Sequence, residues 1–192
     1  MGFQFSDAHT DQYRRDGYCK AEGLFSPNEV KELGAEMNWI IEEWWGEESI
    51  GWRGPWRDHY LHGKPPERGT PFPMHQDYPF YPHDGPDFVD CLVHLDDAPL
   101  ESGCLRVVPG SHTQGPLDHI EGDHTRPYLP PDQYHPDITE TVPVPAKAGD
   151  VIFFSYYLIH WSDLNHSDQW RRSVRIGFHN AAMLPVGHDP QT

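Results

Sequence analysis

From residue 59 onward the chain is cut by Gly, Pro and Asp into short apolar runs, at 59–63, 72–75, 88–95, 104–108, 140–144, 151–157 and 174–178. Such runs read as strands separated by turns. Within 88–95, Val89, Cys91, Val93 and Leu95 alternate with Asp90 and His94, as in a strand with one buried face. The 20 Pro and 17 Gly suit many turns and short elements, so the core reads as mainly β, a sandwich or barrel. Ahead of it, 7–15 reads as a short helix. Ser26-Pro27-Asn28-Glu29 is a capping box with proline at the first helical position. It opens a helix ending near Gly46, with Val30, Leu33, Met37, Ile40, Ile41 and Trp44 on one face. Both helices are expected on the outside of a sheet. The length suits a single domain: a helical region over 1–58, a β core over 59–180 and a tail over 181–192.

Three side chains stand out against this frame. His75, Asp77 and His160 sit at the ends of strand-like runs, and Arg171 follows eleven residues after His160. Two imidazoles and one carboxylate occupy one face of Fe(II) and leave the opposite positions open to a chelating co-substrate and O2. The bare pattern His-x-Asp is weak in a chain with 14 His. His135-Pro136-Asp137 falls in a proline-rich segment and His166-Ser167-Asp168 in a polar turn, where no strand holds the ligands. His75-Gln76-Asp77 follows an apolar run and leads, after a turn, into the strand at 88–95. His94, His112, His119 and His179 have no partner at ligand spacing and read as structural or surface residues. The same holds for the acidic residues around Trp44 and Trp45, and for the series Trp44, Trp45, Trp52 and Trp56, which reads as core or interface. The segment 115–138 has little periodicity and reads as a long loop over one mouth of the barrel, a candidate substrate lid.

The formal charge of −16 repels phosphate backbones and anionic membrane surfaces. Nucleic acid and membranes are therefore not expected partners. Cys19, Cys91 and Cys104 cannot form a complete disulfide set and read as reduced core thiols of a cytoplasmic protein. The N-terminus shows no secretory pattern, and no run reaches membrane-spanning length. Met1-Gly2 with Ser6 meets only the loose myristoylation pattern, without basic support.

Several blocks then recur in one order: 69–77, containing Met74-His75-Gln76-Asp77; Asp96-Asp97-Ala98; 101–112, containing Pro109-Gly110-Ser111-His112; Ala148-Gly149-Asp150-Val151; His160-Trp161-Ser162; and Arg171-Arg172-Ser173. Together they resemble the phytanoyl-CoA dioxygenase-like family of Fe(II)- and 2-oxoglutarate-dependent oxygenases. The resemblance runs from about residue 63 to 180 and implies a double-stranded β-helix, or jelly-roll, core. It implies that His75, Asp77 and His160 hold Fe(II) and that Arg171 pairs with the distal carboxylate of 2-oxoglutarate. Ser162 would add a hydroxyl to that carboxylate, and Gln76 would help orient the site. An arginine fork matches a carboxylate with two parallel hydrogen bonds. Arg172 competes for this role, because neighbouring strand residues face opposite sides and only one can point inward; family spacing favours Arg171.

The implied reaction uses O2 to convert 2-oxoglutarate to succinate and CO2 while oxidising a small organic molecule. Asp77 favours hydroxylation or a related oxidation over halogenation, for which related enzymes replace the carboxylate by a small residue. The chain departs from the family in the short stretch between Trp45 and the iron motif. Part of the supporting helices and pocket wall is expected to be absent, and a homo-oligomer would cover apolar surface so exposed. Two other readings share the ligand set: a non-catalytic jelly-roll that binds a metal or small ligand, and a zinc hydrolase.

Overall fold

The computed structural model describes residues 4–44, 61–67, 71–121 and 127–186. Readings that involve Met1, Gly2, Trp45, Gly46, Trp52, Trp56, residues 59–60 and 69–70, or the tail beyond 186 lie outside these residues. The chain opens with helix α1 (Asp7–Asp16), strand β1 (Tyr18–Ala21) and helix α2 (Pro27–Trp44). At the head of α2 the expected box forms: the Glu29 carboxylate accepts from the Ser26 amide at 2.8 Å and from its hydroxyl at 2.7 Å. A cap of this kind contributes about 1 kcal/mol. Burial of Met37, 1% exposed, contributes about 1.5–3 kcal/mol. Packing therefore outweighs capping in holding α2. Met37 and Leu33 press on Cys91, Val93 and Val151, the outer face of a sheet, as the amphipathic pattern requires.

Ten further strands follow: β2 (Leu61–Lys64), β3 (Phe72–His75), β4 (Phe88–His94), β5 (Leu105–Val107), β6 (Ile120–Glu121), β7 (Pro127–Tyr128), β8 (Val142–Val144), β9 (Val151–Ser155), β10 (His160–Ser162) and β11 (Arg171–His179). They form a five-stranded sheet in the order β1-β9-β4-β11-β2, a four-stranded sheet in the order β3-β10-β5-β8, and the hairpin β6-β7. Every pairing among the described strands is antiparallel. Leu92, Ile152 and Phe154 of the larger sheet meet Leu105, Val107 and Val144 of the smaller one in a shared core. This is the jelly-roll expected from the sequence. Cys19, Cys91 and Cys104 are free and buried. No helix among the described residues is long and apolar enough to cross a membrane.

The segment 115–138 differs from its reading as an unstructured loop. It contains β6 and β7, and Leu129, 1% exposed, donates its amide to the Met74 carbonyl at 2.8 Å. Strands of two residues are too short to show periodicity, which is why the pattern hid them. The segment is thereby tied to β3, the strand that carries His75.

Candidate metal centre

β3 ends on His75 and β10 begins on His160, and the antiparallel register sets these two residues opposite each other. Asp77 lies just beyond β3, with its amide donating to the Tyr156 carbonyl at 2.9 Å and its own carbonyl accepting from Phe80 at 3.0 Å. One donor atom from each of His75, Asp77 and His160 falls within 4.8 Å of the others, and all three residues are buried. Nδ1 of His75 is 2.8 Å from the Pro73 carbonyl, and Nδ1 of His160 is 2.9 Å from that of Leu158. A carbonyl only accepts, so each Nδ1 carries the proton and each Nε2 keeps its lone pair for a metal.

The charges agree with this geometry. Burial alone would raise the Asp77 carboxyl, but Arg175 beside it, aided by His160 and His75, holds it well below the usual carboxylate range. Burial pushes His160 down to about 4, with His75 adding to the shift, so its ring is neutral at pH 7. A deprotonated carboxylate and a neutral imidazole are the forms that bind a divalent cation.

A second cluster begins two residues further along β10. Lys64 reaches from the larger sheet and donates to Oγ of Ser162 in the smaller one at 2.9 Å, and also to the Asp163 carbonyl. Directly opposite Lys64 in the β2–β11 register stands Arg171, 4% exposed. Its Nη1 donates to the Gly103 carbonyl at 2.6 Å, while its Nε has no hydrogen-bond partner among the described residues. Gly103 adopts φ 70°, and a Cβ there would collide with the Asp163 carbonyl, so only glycine brings this acceptor so close. Ser173 lies two residues along β11 on the same face and pairs with His94 of β4; its Oγ and both ring nitrogens of His94 are buried without hydrogen-bond partners among the described residues. Burial drives every cation here toward its neutral form. Arg171 falls to about 10; Lys64 falls to about 6, with the charge of Arg171 as the next cause; His94 falls to about 3, with Arg171 and Lys20 next. Among the described residues no carboxylate forms an ion pair with Arg171 or Lys64. Buried, unpaired cations are costly, and an anion would relieve that cost.

Arg172 faces the other way. Its guanidinium meets Asp96 at 2.7 and 2.8 Å and Asn38 at 2.6 Å. Strand alternation thus separates the two candidate arginines, with Arg171 inside. Gln76 bonds to the backbone around the site. Its side chain, fully buried, donates to the carbonyls of Gly115 at 2.9 Å and Tyr157 at 2.7 Å and accepts from the Leu117 amide at 2.8 Å. Those bonds make it a brace for the start of the 115–138 segment rather than an open donor for a co-substrate. His119 shares in that brace, its Nε2 accepting the Gln76 amide at 2.9 Å. Lys64, His94, Ser173 and Arg175 were not singled out from the sequence as site residues. For Ser173 and Arg175 a signal existed: both share the two-residue period of Arg171.

Two facing antiparallel sheets, with two histidines and an aspartate converging between them, define a double-stranded β-helix with a candidate metal centre. Residues 40–173 match the phytanoyl-CoA dioxygenase (PhyH) family, and the chain belongs to it. It is 32% identical over 128 residues to a probable phytanoyl-CoA dioxygenase of Caenorhabditis elegans, a match covering 62% of this chain and 41% of that protein. The chain spans less than half the length of the curated relatives it matches first, at 41%, 38% and 44%. Among solved structures, the non-haem α-ketoglutarate-dependent carbocyclase SnoK from nogalamycin biosynthesis superposes with a TM-score of 0.73 at 23% identity, over 94% of this chain and 86% of that one. EvdO2 from Micromonospora carbonacea var. aurantiaca, complexed with 2-oxoglutarate, superposes with a TM-score of 0.68 at 19% identity, over 100% and 97%. These superpositions establish the fold.

Proposed function

We infer that this chain is an Fe(II)- and 2-oxoglutarate-dependent dioxygenase that hydroxylates a small organic molecule and releases succinate and CO2. His75, Asp77 and His160 hold the iron. Arg171, with Ser162 and Lys64, takes the distal carboxylate of 2-oxoglutarate. The observation that carries this reading is the buried Arg171 guanidinium with its unpartnered Nε. A simple metal binder or a zinc hydrolase has no use for such a group, whereas a dicarboxylate co-substrate requires one. The spacing also suits it: Ser162 lies two strand residues beyond His160, roughly 7 Å away along the chain, a span that a five-carbon keto acid can bridge. When bound, iron supplies the redox chemistry that couples decarboxylation of the keto acid to oxidation of the substrate. The protein contributes geometry, a neutral His160, a charged Asp77 and dry surroundings. With Asp77 in the third ligand position, no vacancy is left for halide, which favours hydroxylation over halogenation.

Anaerobic titration of the purified chain with Fe(II) and then 2-oxoglutarate tests this reading. A weak visible metal-to-ligand charge-transfer band is expected on addition of the keto acid, followed by succinate release in air. Iron uptake without that band would overturn it in favour of a metal-binding jelly-roll.

Lys64 gives the pocket a second signature. With its pKa near 6, the amine is largely neutral at pH 7.5, and a carboxylate placed beside it favours the charged form. Binding of 2-oxoglutarate should then take up a proton, approaching about one per molecule. Calorimetry in buffers of different ionisation enthalpy checks this, and Lys64→Met should abolish the uptake and weaken binding by about 1.5–3 kcal/mol. A binding enthalpy independent of buffer would mean that the Lys64 amine is already charged before the ligand arrives, and unchanged affinity in Lys64→Met would remove it from the pocket.

A further inference from the structure

The two oxygens of Asp77 face different partners. Oδ1 lies 3.4 Å from Nε2 of His75 and 3.8 Å from Nε2 of His160, on the side where the three donors converge. Oδ2 lies 3.5 Å from Nη1 of Arg175. Arg175 belongs to β11, four residues beyond Arg171 and on the same inward face, and is 8% exposed. It is held on two further sides. Its Nε lies 3.2 Å from Oδ1 of Asp90, and its guanidinium carbon lies 4.5 Å from the centre of the Tyr81 ring. Tyr81 in turn donates its hydroxyl to Oδ2 of Asp90 at 2.8 Å, which fixes both groups that hold the arginine. Asp90 is fully buried on β4, opposite Gly177 of β11, where a Cβ would collide with the neighbouring Phe88 ring.

A carboxylate can bind a metal through one oxygen or two, and it can rotate between these modes unless its outer oxygen is engaged. We propose that Arg175, anchored by Asp90 and Tyr81, is a positioning residue that engages the outer oxygen of Asp77 and presents only Oδ1 to a metal ion. The proposal rests on the reading of His75, Asp77 and His160 as metal ligands. Arginine suits the task because its rigid fork reaches the acid groups of Asp77 and Asp90 at once. A lysine ammonium is a point charge that can hold one of them but not both in place.

The test uses Co(II) as the probe, because its d–d bands report coordination number and geometry. The full chain, Arg175→Met and Arg175→Lys are titrated with Co(II), and their melting temperatures are measured in parallel. Arg175→Met is expected to bind Co(II) roughly ten- to hundred-fold more weakly, the usual effect of losing a group that orients a ligand. Its bands should also shift in position and intensity as Asp77 gains its second oxygen as a donor. Arg175→Lys should recover part of the affinity while keeping altered bands. A residue that merely supports the fold would lower the melting temperature and leave the Co(II) spectrum of the folded fraction unmoved. Wild-type bands and affinity in a folded Arg175→Met chain would overturn the proposal. Should that variant fail to fold, wild-type bands and affinity in Arg175→Lys would overturn it instead. Failure of the unaltered chain to take up Co(II) would sink the metal-site reading itself, an outcome distinct from normal uptake by all three proteins.

Discussion

Truncation of Arg171 to alanine is expected to weaken 2-oxoglutarate binding by roughly a hundred- to a thousand-fold, about 3–4 kcal/mol, because it leaves a buried carboxylate without its partner. Lys64 and Ser162 remain beside the ligand and set the lower end of that range. The same substitution should leave Fe(II) uptake intact, since Arg171 touches none of the three metal donors. Its effect on the ligand-free fold carries the opposite sign. Arg171 is 4% exposed, bonded among the described residues only to the Gly103 carbonyl, and driven by burial down to about 10. A charge held in that state destabilises the empty protein, so alanine is expected to leave its melting temperature unchanged or raised. Thermal melts of the metal-free chain and anaerobic titration of the charge-transfer band measure the two effects separately. A lower melting temperature together with unchanged keto-acid affinity would make Arg171 a structural residue and remove it from the site.

The parts of this arrangement that could be read in the sequence are those set by local pattern. The capping box placed the start of α2, and short apolar runs placed β3, β4, β9 and the body of β11, although β4 buries both faces rather than one: Cys91 and Val93 lie under α2, while Leu92 faces the smaller sheet and Asp90 and His94 are fully buried beside it. His75, Asp77 and His160 stood at the ends of such runs. β10 was hidden because its three residues, His160 to Ser162, are held by pairing with β3 and β5 rather than by any period of their own. Lys64 was hidden for a related reason: it becomes part of the pocket only through the register that sets it opposite Arg171. Arg175 was legible in principle, since the alternation that separates Arg171 from Arg172 also carries residues 173 and 175 inward. His94 alternated correctly on β4, yet nothing local shows that both of its ring nitrogens end buried without partners. Gln76 shows the converse. Its neighbours on both sides point into the metal centre, and the same alternation that aims them inward turns Gln76 away, toward the backbone of 115–117.

Replacement of His160 by alanine is expected to abolish turnover and to reduce metal affinity by more than the roughly ten- to hundred-fold typical of a lost supporting contact, because a donor itself is removed. The ring is poised for that role before any metal arrives. Its Nδ1 proton is held by the Leu158 carbonyl, and burial keeps it neutral at pH 7. In the metal-free protein the sign follows from that depressed value. An unfolded histidine takes up a proton below about 6.5, while folded His160 does not until about 4. The group therefore subtracts stability as pH falls from 6.5 toward 4, and the alanine variant should lose less stability over that window. Denaturant titrations of both metal-free proteins at pH 7 and pH 5 measure the difference. Retained iron-dependent turnover in the variant would defeat the whole assignment. Together with Arg171→Ala it also orders the site. Loss of His160 removes the metal and with it the keto acid, while loss of Arg171 removes the keto acid and spares the metal. That asymmetry is expected only if the metal is bound first and the dicarboxylate spans from it to the cations beyond Ser162.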